Sequence, residues 1–131
     1  MKYLGIDFGT KRIGLAVSDA MGAIAFPRAT VKNDAQLFEA LADVIRDERV
    51  KAIVVGDTRS HGGMENPITK DVEAFIENLK KRMHLPVERG WEAGSSIEAS
   101  RYAEKGDEHH DSAAAAIILQ RFLEMRGHDV Q

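Results

Sequence analysis

Apolar and polar positions alternate along this chain with two different periods, and the change from one to the other marks its elements. Lys2 to Phe8 ("KYLGIDF") and Arg12 to Asp19 ("RIGLAVSD") are β-rich runs separated by the turn-forming Gly9-Thr10-Lys11, which predicts a hairpin or adjacent antiparallel strands. A third run, "AIAFPRATV" (23–31), contains Pro27 and reads as an edge strand or a bulged one, because proline cannot donate to a ladder. Asn33 or Asp34 suits the cap of a helix reaching about Arg49, with Leu37, Leu41, Ile45 and Phe38 on one face. "KAIVVG" (51–56) is continuously apolar, as in a strand covered on both faces. The segment 57–67, "DTRSHGGMENP", has no apolar period and is rich in turn formers, so it is expected to be a loop.

Helical spacing returns from Ile68 to Met83, where Val72, Phe75, Ile76 and Leu79 fall on one face. "LPVERGW" (85–91) is a weaker strand. "SSIEASRYAEKG" suggests a short helix, and "DSAAAAIILQRFLEM" a long one opened by Asp111 and closed by Gly127. Three strands followed by helix, strand, helix, strand and helix predict an α/β layout in which helices cover a mixed sheet. No repeat or linker interrupts it, so residues 1–131 are expected to form one domain.

Composition narrows the chemistry. There is no cysteine, which removes disulfides and thiolate metal sites and fits a reducing compartment. The longest apolar runs, such as "AAAAIIL", are too short to cross a bilayer, and the start of the chain lacks the layout of a signal peptide, so a cytoplasmic protein without membrane association is expected. The formal charge of −3 means that a polyanionic partner would need a local cationic patch or bridging metal ions.

Three acids stand at the ends of elements: Asp7 ends the first strand, Glu92 follows the last one, and Asp111 opens the final helix. Each has a plain reading on its own. Asp7 could be a turn residue accepting backbone N–H groups, Asp111 a helix cap, and Glu92 a solvated side chain. His109 and His110, beside Asp111, could be ligands or a proton shuttle, although a surface pair before a helix is more often simply solvated. If an open sheet holds its first and last strands near one another with the final helix across them, the three carboxylates meet. Such a cluster calls for a cation, and oxygen-only ligands suit the hard ions Mg²⁺ or Mn²⁺. Two such ions about 4 Å apart can promote phosphodiester cleavage.

The whole pattern resembles the YqgF/RuvX family, bacterial pre-16S rRNA nucleases also described as Holliday junction resolvases, within the RNase H-like superfamily. The resemblance rests on "GIDFGTKRIGLAVSD", on "IVVG" followed by a glycine-containing loop and "ENP", on "SSIEA", and on "DSAAAAIILQRFLE", in that order along nearly the full length. It implies an RNase H-like mixed five-stranded sheet flanked by helices. It also implies Asp7, Glu92 and Asp111 as metal-binding catalytic acids, with Mg²⁺ or Mn²⁺ as cofactor.

Gly9, Thr10, Lys11 and Arg12 would then meet the phosphodiester backbone, although a solvated hairpin tip also accounts for these cations. Two departures accompany the match. "WEAG" puts Ala93 where many members carry an arginine, a role open to Arg59 or Arg101, and the loop at 57–67 begins "DTRSHGG" where members usually begin with an apolar residue and proline. The resemblance implies a hydrolase of phosphodiester bonds acting on precursor rRNA, with branched DNA as the alternative substrate and a catalytically inactive RNA-binding member as a further one. A similarity of "GIDFGT" to the first phosphate hairpin of the actin, Hsp70 and sugar-kinase group is set against a length that supplies one domain where that group needs two.

Overall fold

In the computed structural model the described residues are 1–9, 11–57, 67–91 and 109–129. Strand β1 (Tyr3–Phe8) is central in a five-stranded sheet, flanked on one side by β2 (Arg12–Ser18) and then β3 (Ala25–Lys32), and on the other by β4 (Ala52–Asp57) and then β5 (Val87–Trp91). The first three strands are antiparallel neighbours, whereas β4 runs parallel to both β1 and β5. The predicted hairpin is present, and β3 is the edge strand that Pro27 implied. Its bulge has a visible consequence. Leu15 pairs with Ala29 and Ala16 with Pro27, so Arg28 is the extra residue, and its Nε donates to Glu48 Oε2 at 2.7 Å.

Helices α1 (Leu37–Glu48) and α2 (Pro67–Met83) cover one face of the sheet, and α3 (His109–Asp129) covers the other. The α1 and α2 side buries Leu4, Ile6, Ile53 and Val55 against Leu41, Phe75, Ile76 and Leu79. The α3 side buries Tyr3, Ala16, Ala52 and Val54 against Ala115, Ile118, Leu119 and Leu123. β4 is therefore covered on both faces, as its unbroken apolar run predicted.

Several boundaries differ from expectation for physical reasons. α1 starts at Leu37 because Asp34 forms a turn ahead of it, accepting the Gln36 N–H at 3.0 Å on Oδ1 and the Leu37 N–H at 3.1 Å on its carbonyl. On its inward face Val44 is buried, while Ile45 and Phe38 pack at the margin. α2 begins at Pro67, a residue suited to the first helical position because no intrahelical N–H is needed there. α3 continues through Gly127 to Asp129. Of the predicted loop at 57–67, Asp57 closes β4 and Pro67 opens α2; residues 58–66 and the predicted short helix at 95–106 lie outside the described residues.

Candidate active site

Because β1, β4 and β5 are parallel, their carboxyl ends open along one edge of the sheet, the place where ligands bind in open α/β folds. Asp7 stands there as the next-to-last residue of β1 and is half-buried. Strand alternation divides the two residues at this end. Leu4, Ile6 and Phe8 belong to the α1 and α2 side, so Asp7 shares the α3 side with Tyr3 and Gly5. Extending the pairing of Ile6 with Val55 and of Val55 with Arg89 by one residue sets Asp7 level with Gly56 and Gly90.

Those glycines explain how α3 comes so close. A Cβ on Gly5 would lie 2.7 Å from Leu119 Cβ, one on Gly56 would lie 2.8 Å from Ile118 Cδ1, and one on Gly90 would lie 3.0 Å from Ile118 Cγ2. The helix answers with alanines: Ala114 and Ala115 are buried. Its direction follows from the contacts. The rings of Tyr3 and Phe122 lie 5.9 Å apart at the start of β1, while Leu119 and the Ala115 carbonyl meet Gly5 two residues on. α3 thus runs antiparallel to β1. One further helical turn, about 5.4 Å, brings the Asp111 backbone toward the strand end that carries Asp7, two residues or roughly 7 Å beyond Gly5.

β4 alone lies between β1 and β5, so the carboxyl edge spans three strands. One sequence expectation needs correction here: Asp111 does not open the last helix, since α3 begins at His109, which makes Asp111 the third residue of its first turn instead of a cap. An acid in that turn still meets the positive end of the helix dipole, an effect of about 0.3–1 kcal/mol. Glu92, Thr10, Arg59, Ala93 and Arg101 lie outside the described residues.

The hairpin tip beside Asp7 is built from Gly9, Lys11 and Arg12, and both cations are exposed. Gly9 has a structural necessity of its own, because a Cβ there would run into the Arg12 carbonyl oxygen. The tip is held from a direction the sequence did not announce. Asn33, at the end of β3, donates from Nδ2 to the Gly9 carbonyl at 2.9 Å and from its backbone N–H to the Lys11 carbonyl at 3.0 Å. Asparagine before a helix suggested a cap; its amide instead clamps the loop. The available signal was that Asp34 could serve the helix alone, which left Asn33 without a task.

Among the described residues no three His, Asp or Glu side chains form a metal-holding group. Asp7 is a half-buried oxygen donor at a strand end, which suits a hard divalent ion once further carboxylates join it.

Comparison with known proteins decides the kinship. A family model described as "RuvX: Holliday junction resolvase" matches residues 1–125. The chain belongs to the RuvX family. It is 39% identical to a protein of Oleidesulfovibrio alaskensis named "Putative pre-16S rRNA nuclease", over 95% of this chain and 93% of that one. It is 45% identical to a protein of the same name from Nitratidesulfovibrio vulgaris strain DP4, over 94% and 93%. Among solved structures it is similar to T. thermophilus RuvC in complex with a Holliday junction substrate, with a TM-score of 0.63 at 19% identity over 97% of this chain and 96% of that one. The expected RNase H-like α/β fold of the RuvX family is thereby shown. No described helix is long and apolar enough to cross a membrane.

Proposed function

We propose that this RuvX protein is a divalent-metal-dependent nuclease that hydrolyses phosphodiester bonds, with the 5′ region of pre-16S rRNA as its substrate. One observation supports the reading: α3 lies antiparallel to β1 on a path of glycines, and one more helical turn beyond Ala115 carries the Asp111 backbone toward the strand end that bears Asp7. The family match and the names of the relatives support the substrate class.

In this reading Asp7, Glu92 and Asp111 hold Mg²⁺ or Mn²⁺, whose chemistry when bound is to activate water at neutral pH and to stabilise the oxygen that leaves. The chain's own residues do the rest. Asp7 sits half-buried on a central strand, so its carboxylate is presented from a rigid support. Exposed Lys11 and Arg12 meet the phosphate backbone, Thr10 between Gly9 and Lys11 supplies a hydroxyl, and Arg59 serves as the further cation in place of the family arginine. Asn33 ties down the Gly9 carbonyl of the hairpin that carries Lys11 and Arg12.

Cleavage of branched DNA is the second reading, favoured by the description of the family model and by the solved resolvase of the same fold. One panel tests both: purified protein with Mg²⁺ or Mn²⁺, an RNA carrying a precursor-like 5′ extension, and a synthetic four-way junction. Cutting of the RNA alone supports the proposal, and cutting of the junction alone replaces it with the second reading. Binding without cleavage under any divalent ion would leave an RNA-binding protein and overturn both.

A further inference from the structure

On the face of β1 opposite Asp7 the structure holds a pocket of about 330 Å³ that the nuclease reading does not use. Its floor is aromatic. Phe8 and Phe75 have ring centroids 5.0 Å apart, and Phe38 and Phe75 5.8 Å apart. Its rim carries Asp34, Asp71 and Asn78, and Asn33 lines it while clamping the hairpin. The volume is at the lower end of the roughly 300–1,000 Å³ of small-ligand sites, which suits one nucleobase and excludes a duplex.

Position and chemistry limit what could enter. Phe8 follows Asp7 directly in β1, so a strand whose phosphate lies at Asp7 has a flanking base within reach of the pocket. Aromatic rings stack any base. The rim then selects. Carboxylates repel phosphate but accept hydrogen bonds, and the Asp71 side chain is exposed on α2, whereas one Asp34 oxygen already serves the Gln36 N–H. Guanine offers adjacent N1–H and N2–H donors that match the two oxygens of one carboxylate. Adenine and cytosine place an acceptor where guanine has N1–H, and uracil flanks its single donor with carbonyls.

We infer that this pocket takes an unpaired guanine of the substrate strand, flanking the phosphate at Asp7. The inference rests on the nuclease reading for the strand's path, yet the pocket can be tested without cleavage. The full chain, ¹⁵N-labelled and kept in EDTA, is titrated with 5′-GMP, 5′-AMP, 5′-CMP and 5′-UMP and with a short arginine-rich peptide, following the amides of Phe38, Asp71 and Asn78. GMP should shift these amides and bind about tenfold more tightly than the other nucleotides, and Asp71→Asn should remove that margin, the size expected for one charge-assisted hydrogen bond.

Equal binding of all four nucleotides, a guanine preference untouched by Asp71→Asn, no binding, or binding of the peptide alone would each overturn the inference. Failures of the two readings separate cleanly. Guanine binding without metal-dependent cleavage keeps the pocket and removes the nuclease, while cleavage without guanine binding does the reverse.

Discussion

Leu119 rests directly on the backbone of Gly5, with its Cβ only 2.7 Å from where a side chain on that glycine would begin and with the Ala115 carbonyl oxygen 3.1 Å away. Neither neighbour is the far end of a flexible chain. Gly5→Ala should therefore push α3 from the sheet and lower stability by about 1–3 kcal/mol, the usual cost of overpacking. Gly56→Ala meets only the tip of Ile118 and should cost less. Urea unfolding of both variants gives the order, and nuclease activity should fall further in Gly5→Ala, since the displaced helix carries Asp111.

The acids should be separable from the fold. Asp7→Asn, Glu92→Gln and Asp111→Asn preserve shape and should leave the circular dichroism spectrum and melting temperature close to wild type. Metal-dependent cleavage should fall by about 10²-fold or more in each, on the scale of losing a group that acts on the reacting atoms. EDTA should abolish wild-type cleavage and added Mg²⁺ or Mn²⁺ restore it. Full metal-dependent activity in any of the three variants would remove that residue from the site.

Asn33 offers a test of positioning. Asn33→Ala deletes the bond from Nδ2 to the Gly9 carbonyl and should cost about 1 kcal/mol of stability. If the hairpin cations hold the strand, the variant should raise KM for nucleic acid more than it lowers kcat. Faster amide exchange at Gly9 and Arg12 in the variant would tie that change to the loop.

Acid should expose the role of Glu48. Lys2 Nζ donates to one carboxylate oxygen at 2.8 Å and Arg28 Nε to the other at 2.7 Å, which holds this carboxyl below the ordinary glutamate range. A depressed carboxyl stabilises the fold above its unfolded-state value, about 4.3, and that contribution is lost as pH falls through the lower folded value. Glu48→Gln should therefore lower stability by about 1 kcal/mol at pH 7, and the gap should close as pH drops below about 4. Chemical denaturation of both proteins across pH 3–7 measures it.

Local signals are legible where one element controls its own pattern. The four inward residues of α2, Val72, Phe75, Ile76 and Leu79, are all buried, because their helical spacing alone puts them on one face. Pro27 marked the edge strand because a missing N–H is tolerated only there or at a bulge. Asp7 was legible as an acid ending an apolar run. Other features were hidden because they depend on partners far away in the chain. Asn33 works on Gly9 across 24 positions. Nothing in the local sequence shows that Asp111 stands in the third helical position, since His109 and His110 carry no capping signature.

The sequence by itself determined the order and kind of the described elements, the absence of any thiolate, and the kinship written in its first and last blocks, all of which follow from short-range periodicity and residue chemistry. Tertiary structure alone decided that β4 separates β1 from β5, that Gly5, Gly56 and Gly90 line up beneath one helix, and that Phe8 turns away from Asp7 to floor a pocket on the other face. The physical reason is that strand order and helix direction are settled by burying both faces of one sheet at once, a condition imposed on the whole chain that no local stretch of it can express.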